Sequence, residues 1–97
     1  MSIEEVLEGL RKDYINAFPF KLEELSKRIH NKDKTAVITL FHQIMGSGKT
    51  YGFVDISTCA EQAEKELSRA TNDWVKSAAY HLKCLEKAYG DMAHKAA

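Results

Sequence analysis

Apolar residues recur every three or four positions through nearly the whole chain, and the breaks between these runs are short and polar. Ile3, Val6, Leu7, Leu10, Tyr14 and Phe18 follow this spacing, and Leu22, Leu25 and Ile29 carry it on to about His30. That period lines one face of an α-helix, whereas a strand would alternate every second residue. A helix is expected from about Ile3 to Ala17. Pro19 then breaks or kinks the chain, or opens a new helix at its first turn. Asn31-Lys32-Asp33-Lys34 reads as a short turn. The next helix should run from about Lys34 to Tyr51, with Gly52 at or near its end. Another starts near Asp55 or Ser57, either of which can cap it, and places Ile56, Cys59 or Ala60, Ala63 and Leu67 on one side. The last begins after Asn72, a cap, and runs through Trp74, Ala78, His81, Leu82, Leu85 and Tyr89, with Gly90 as a stop signal.

Only the fragment from Tyr51 to Ile56 has a β-like composition, and Gly52 and Asp55 interrupt it. The expected fold is all-α: an antiparallel up-and-down four-helix bundle with an additional N-terminal helix or helical extension. The 97 residues suit one domain, 1–97, and leave little room for a second core.

Charge and composition narrow the function. Fourteen basic residues balance fourteen acidic ones, so no net field is available to hold nucleic acid or an anionic membrane. No apolar stretch approaches the roughly 20 residues of a membrane span, and Met1-Ser2-Ile3-Glu4-Glu5 lacks the layout of a signal peptide. Cys59 and Cys84 read as small core residues in a reducing compartment. A cytoplasmic location is expected, with no partner that is nucleic acid or membrane.

The helix from Lys34 to Tyr51 carries the chemistry. With Val37 at the origin of a wheel advancing about 100° per residue, Leu40, Phe41, Ile44, Gly48 and Tyr51 form the core stripe. His42 falls near about 140°, outside that stripe, with Met45 near about 80°, Lys49 near about 120° and Gly46 near about 180°. His42 should therefore face solvent. Gly46, at i+4, leaves the space beside the imidazole open, and Gly48 faces inward, where a neighbouring helix can approach closely. Two glycines tolerated near a frayed helix end would look the same on the wheel alone. An exposed neutral imidazole is a good nucleophile near neutral pH. A bare helix face can present it but supplies neither metal nor general base.

The stretch from His42 to Gly52, HQIMGSGKTYG, resembles the signature of histidine-containing phosphotransfer (HPt) domains. His42 matches the phosphoacceptor. Ile44, Gly46, Ser47, Tyr51 and Gly52 match the apolar, glycine, small, aromatic and glycine positions that follow it. The likeness spans nearly the whole chain, including Leu22-Glu23-Glu24-Leu25 and the turn before the histidine helix. One position departs, since Met45 stands where the family usually has lysine. Lys49, one turn on, could give electrostatic support in its place, and Met45 could thicken an apolar docking patch with Ile38 and Gly46.

The resemblance implies a phosphotransfer intermediate rather than a stand-alone enzyme. It would accept a phosphoryl group on His42 and exchange it with the aspartate of a response-regulator receiver domain, or serve a hybrid histidine kinase. It would hold no cofactor of its own, the receiver bringing Mg²⁺, and is expected to be a monomer. The alternative is a non-transferring module of the same kind that only binds receivers or kinases.

Other readings are weaker. Gly46-Ser47-Gly48-Lys49-Thr50 lacks the first glycine of a P-loop, since Gln43 stands at that position, and it follows a helix rather than a strand. His30, His42, His81 and His94 have no ligand spacing for a metal. His81 lies on the apolar face of the last helix and reads as a hydrogen-bonded histidine of the core or its rim. Glu23 with Lys27 and Glu61 with Lys65 are spaced for surface pairs.

Overall fold

The computed structural model describes residues 2–69 and 72–96, and Met1, the first residue of the acidic N-terminus, lies outside them. Four helices follow one another: α1 (Ile3–His30), α2 (Lys34–Tyr51), α3 (Val54–Arg69) and α4 (Trp74–Ala96). No strand occurs among the described residues.

Local chemistry sets most of the ends. Ser2 caps α1, its hydroxyl accepting from the Glu5 N–H at 3.2 Å. Lys32, at φ 57°, turns the chain out of α1, and the Asp33 carboxylate accepts from the Ala36 N–H to open α2. Gly52, at φ 80°, closes α2. The Phe53 N–H donates back to the Gly48 carbonyl at 2.8 Å and the Gly52 N–H to Lys49. That is the paired arrangement in which a left-handed residue satisfies the last free carbonyls.

Four features differ from expectation. Pro19 neither breaks the chain nor starts a helix, and α1 runs through it, so no separate additional N-terminal helix occurs among the described residues. An interior proline costs about 3 kcal/mol. Aromatic packing on its N-terminal side and the buried Leu25 on its other side hold the two halves together. Phe18 stacks on Tyr89 of α4 at 5.2 Å between centroids, and Tyr14 stacks on Phe53 at 5.5 Å. Neither Asp55 nor Ser57 caps α3. The Phe53 carbonyl takes the Ser57 N–H, and Ser57 is buried one turn inside the helix. At α4 the Lys76 and Ser77 N–H groups go to the Asp73 carbonyl, and the helix continues past Gly90 to Ala96. A mid-helix glycine costs about 1 kcal/mol. Burial of Ala88 before it and packing of Met92 after it carry the helix across.

Each helix packs on its sequence neighbours, and α1 also packs on α4, closing a ring of four. Arg11 and Tyr14 of α1 meet Tyr51 and Ser47 of α2, while His42 and Met45 meet Glu64 and Ser57 of α3. Positions rise on one helix as they fall on the next, so neighbours run antiparallel. Phe18, Leu25, Val37, Phe41, Ile44, Ile56, Leu67 and Leu85 fill the centre at 0–1% exposure, with Ala60, Ala63 and Ala78 letting the backbones close in. Leu40 and Tyr51 are only half-buried.

Cys59 and Cys84 are free and half-buried across the α3–α4 contact. His81 is 5% exposed and shares a 2.7 Å hydrogen bond between its Nε2 and Glu66. Hydrogen bonds from His81 and Ser77 hold the Glu66 carboxyl below the usual carboxylate range. Glu61 pairs with Lys65 at 3.2 Å, whereas on α1 the i,i+4 pair is Glu24 with Arg28 at 2.8 Å in place of Glu23 with Lys27. Among the described residues no helix is long and apolar enough to cross a membrane.

Candidate functional site

The core stripe of α2 leaves His42 on the edge that faces α3, where its side chain is 63% exposed. The imidazole is not free to spin. Its Nδ1 lies 2.9 Å from Oε1 of Glu64, a half-buried residue one position beyond the core-facing Ala63 of α3. A carboxylate only accepts, so the neutral ring carries its proton on Nδ1 and donates it to Glu64. Nε2 is left with its lone pair, and no hydrogen bond among the described residues engages it. The partner on one ring nitrogen thus decides which nitrogen can react.

Glu64 did not stand out in the sequence, although a count from the hairpin reaches it. His42 lies ten residues before Gly52 and Glu64 eleven after Phe53, so antiparallel helices joined by these two residues bring them level. The signal needs both helix ends, and the start of α3 was read one to three residues late.

Around His42 the expected surface is narrower than the wheel implies. Gly46 and Lys49 are exposed, and a Cβ built on Gly46 would meet nothing within 4 Å. Ile38 and Met45 are half-buried and packed on the core. The Met45 carbonyl also accepts from the Ser57 hydroxyl at 3.1 Å, tying that edge to α3. Lys49 sits two helical turns from His42, about 10 Å along the axis, so it offers a field rather than contact. Lys65 and Arg69 of α3 line the same shallow concavity as His42, Met45 and Ser68, together with Glu61 and Glu64.

Two small residues of the His42–Gly52 stretch are explained by packing. The Ser47 hydroxyl donates to the Ile44 carbonyl and accepts from the Tyr14 hydroxyl at 2.8 Å, joining α1 to α2. Burial pushes the Tyr14 phenol above its ordinary range. Gly48 is buried against the start of α3.

Because Gly46 is open, Gly46→Glu is expected to fold with a melting temperature equal to or above the parent's, since glutamate is the better helix former by about 0.5–1 kcal/mol. If a partner approaches His42 over this glycine, the same variant slows any reaction at His42 at least about tenfold. Thermal melting alongside the functional assay separates the two effects.

Among the described residues no group of three or more His, Cys, Asp or Glu side chains is placed to hold a metal ion. No family model matches the chain, and no curated protein or solved structure does either.

Proposed function

We propose that this chain is a histidine phosphocarrier of a cytoplasmic multistep phosphorelay. It would take a phosphoryl group on Nε2 of His42 from the aspartyl phosphate of a receiver domain and return it to a receiver aspartate. The observation that carries this reading is the exposed His42 whose Nδ1 is held by Glu64 while Nε2 stays open. The resemblance of His42, Ile44, Gly46, Ser47, Tyr51 and Gly52 to the HPt signature supports it.

The chemistry balances. The Nε2 lone pair forms the N–P bond as the bond from phosphorus to the aspartyl oxygen breaks, and the receiver carboxylate leaves. The ring gains positive charge, which the Glu64 carboxylate stabilises through the Nδ1 proton. The receiver supplies Mg²⁺ for the phosphoryl oxygens. Lys65 and Arg69 stand beside His42, where Glu61 and Glu64 balance their charge, and Lys49 lies farther off.

Incubation with a Mg²⁺-loaded, phosphorylated receiver should yield an acid-labile label on the chain. Glu64→Ala should slow labelling about tenfold or more, the worth of one hydrogen bond to a charged group at a partly solvated site, without lowering the melting temperature appreciably. Equal rates for Glu64→Ala and the parent would remove Glu64 from the mechanism. Absence of label from every receiver and kinase tried would defeat the proposal itself.

Met45, at the position where the family carries lysine, favours a second reading: a module that docks receivers without chemistry. Receiver binding that survives His42→Gln, with no phosphohistidine on the parent, is its signature.

A further inference from the structure

Two cysteines face each other along the α3–α4 contact, on a rim where side chains already meet. At one level of that rim the Ser77 hydroxyl of α4 donates to the Glu66 carboxylate of α3 at 2.8 Å. Cys59 lies seven residues before Glu66, and Cys84 lies seven after Ser77. Seven residues are close to two helical turns, so each cysteine returns to the face that Glu66 or Ser77 occupies. The helices run antiparallel, so both steps lead the same way along the contact. The Cys59 Sγ accordingly lies 4.0 Å from the Cys84 carbonyl oxygen.

The two backbones come close here, since Ala60 and Ala63 of α3 and Ala78 of α4 present only methyl groups to the core. A disulfide spans Cα atoms about 4.4–6.8 Å apart. A carbonyl oxygen stands two bonds from its own Cα, so the Cys59 sulfur already reaches the backbone that carries its partner. Both thiols are free and half-buried, open to a small oxidant while the packed helices hold them opposite each other. Burial, with the Cys84 thiol and Asp55 nearby, pushes the Cys59 thiol up. Little of it is thiolate at neutral pH, so the pair rests reduced and reacts slowly.

We infer that Cys59 and Cys84 form an oxidation site, in which a peroxide converts the two thiols into one disulfide that fastens α3 to α4. The thiolate of one cysteine attacks a peroxide oxygen, the O–O bond breaks, and a sulfenic acid and water result. The second thiolate then attacks the sulfenic sulfur. The S–S bond forms, the S–O bond breaks, and hydroxide leaves as water. In sum, two thiols and one hydrogen peroxide give one disulfide and two waters. Small thiols reverse the bridge by exchange, as a reducing compartment requires. The cysteines are 25 residues apart in the chain, so the bridge restricts the unfolded chain and leaves the oxidised protein the more stable form. His42 takes no part, and the bridge stands or falls separately from the phosphocarrier reading.

Treating the dilute full chain with hydrogen peroxide at mildly alkaline pH tests it. Both free thiols should disappear together, the mass should fall by two hydrogens, and peptide mapping should join the Cys59 peptide to the Cys84 peptide. The melting temperature should rise by at least about 5 °C and return to the starting value with dithiothreitol. Equilibration with glutathione and its disulfide measures the effective concentration of one thiol at the other, which should be at least about tenfold higher in the folded chain than in urea. Cys59→Ser and Cys84→Ser should keep the helical circular dichroism of the parent, form no internal bridge and show no rise in melting temperature with peroxide. Thiols that persist, sulfenic or sulfinic acid without a bridge, or disulfides only between chains would each overturn the inference. So would equal effective concentrations in the folded chain and in urea, which would mean that the fold does not hold the two sulfurs together.

Discussion

A His42→Gln variant is expected to fold as the parent does and to take up no phosphoryl group from any donor that labels the parent. The side chain is 63% exposed and contributes no packing to the core, so the melting temperature should stay within a few degrees, as for most surface changes. Glutamine can still hydrogen-bond to Glu64, but its amide nitrogen pair is delocalised into the carbonyl, so the side chain is no nucleophile toward phosphorus. The other described histidines do not substitute. His81 is buried with Nε2 on Glu66, and His30 and His94 sit in the last turns of α1 and α4 with no carboxylate paired to the ring. Loss of the nucleophile should lower labelling by at least about a thousandfold, read as acid-labile label per chain. Label that persists in His42→Gln would move the acceptor elsewhere and end the proposed mechanism.

Gly48→Leu should lower stability by about 3 kcal/mol, a fall in melting temperature of about 10–20 °C for a domain of this size. A Cβ at this position would lie 3.1 Å from the Ser57 backbone nitrogen, 3.3 Å from the Phe53 carbonyl oxygen and 3.3 Å from Cγ2 of Ile56. Two of these three atoms are backbone and cannot rotate away. They also belong to the α2–α3 connection, where the Phe53 N–H closes on the Gly48 carbonyl. Displacing α3 here would disturb the bond from Ser57 to the Met45 carbonyl and, farther along, the level at which Glu64 meets His42. Gly46→Ala is the matched control, expected to stabilise by up to about 1 kcal/mol because its Cβ meets open space. Equal melting temperatures for Gly48→Leu and the parent would mean that α2 is rotated relative to the arrangement described.

The same two glycines show how far the sequence could be read. Their phases on α2 separated an open Gly46 from a buried Gly48, and the structure keeps that separation. The limits of α2 were legible to the residue because Gly52 and the polar turn before Lys34 are strong local signals. The outer limits of α1, Ile3 and His30, were legible too, whereas the continuity of α1 through Pro19, the start of α3 and the end of α4 were not. Pro19 and Gly90 are breakers by intrinsic preference, yet aromatic stacking and burial on either side outweigh about 3 and 1 kcal/mol respectively. The cap of α3 escaped notice because backbone carbonyls, which carry no residue identity, do the work that Asp55 or Ser57 would have done.

The sequence by itself determined the helices, the inward stripes and the outward phase of His42, because those follow from a period of 3.6 residues within one helix. Only the tertiary structure decided what stands beside His42. Glu64 is 22 residues away in the chain, and its approach depends on the level of α3 against α2, which close packing at Gly48 and a two-residue connection establish. The burial of Ile38 and Met45 was settled in the same way, since a wheel describes one helix and cannot say where the next one lies. The exposure of Ile3, Val6, Leu7 and Leu10 is the converse case. Their spacing promises a buried face, yet the described residues leave them exposed, because a period within one helix does not say what packs against it.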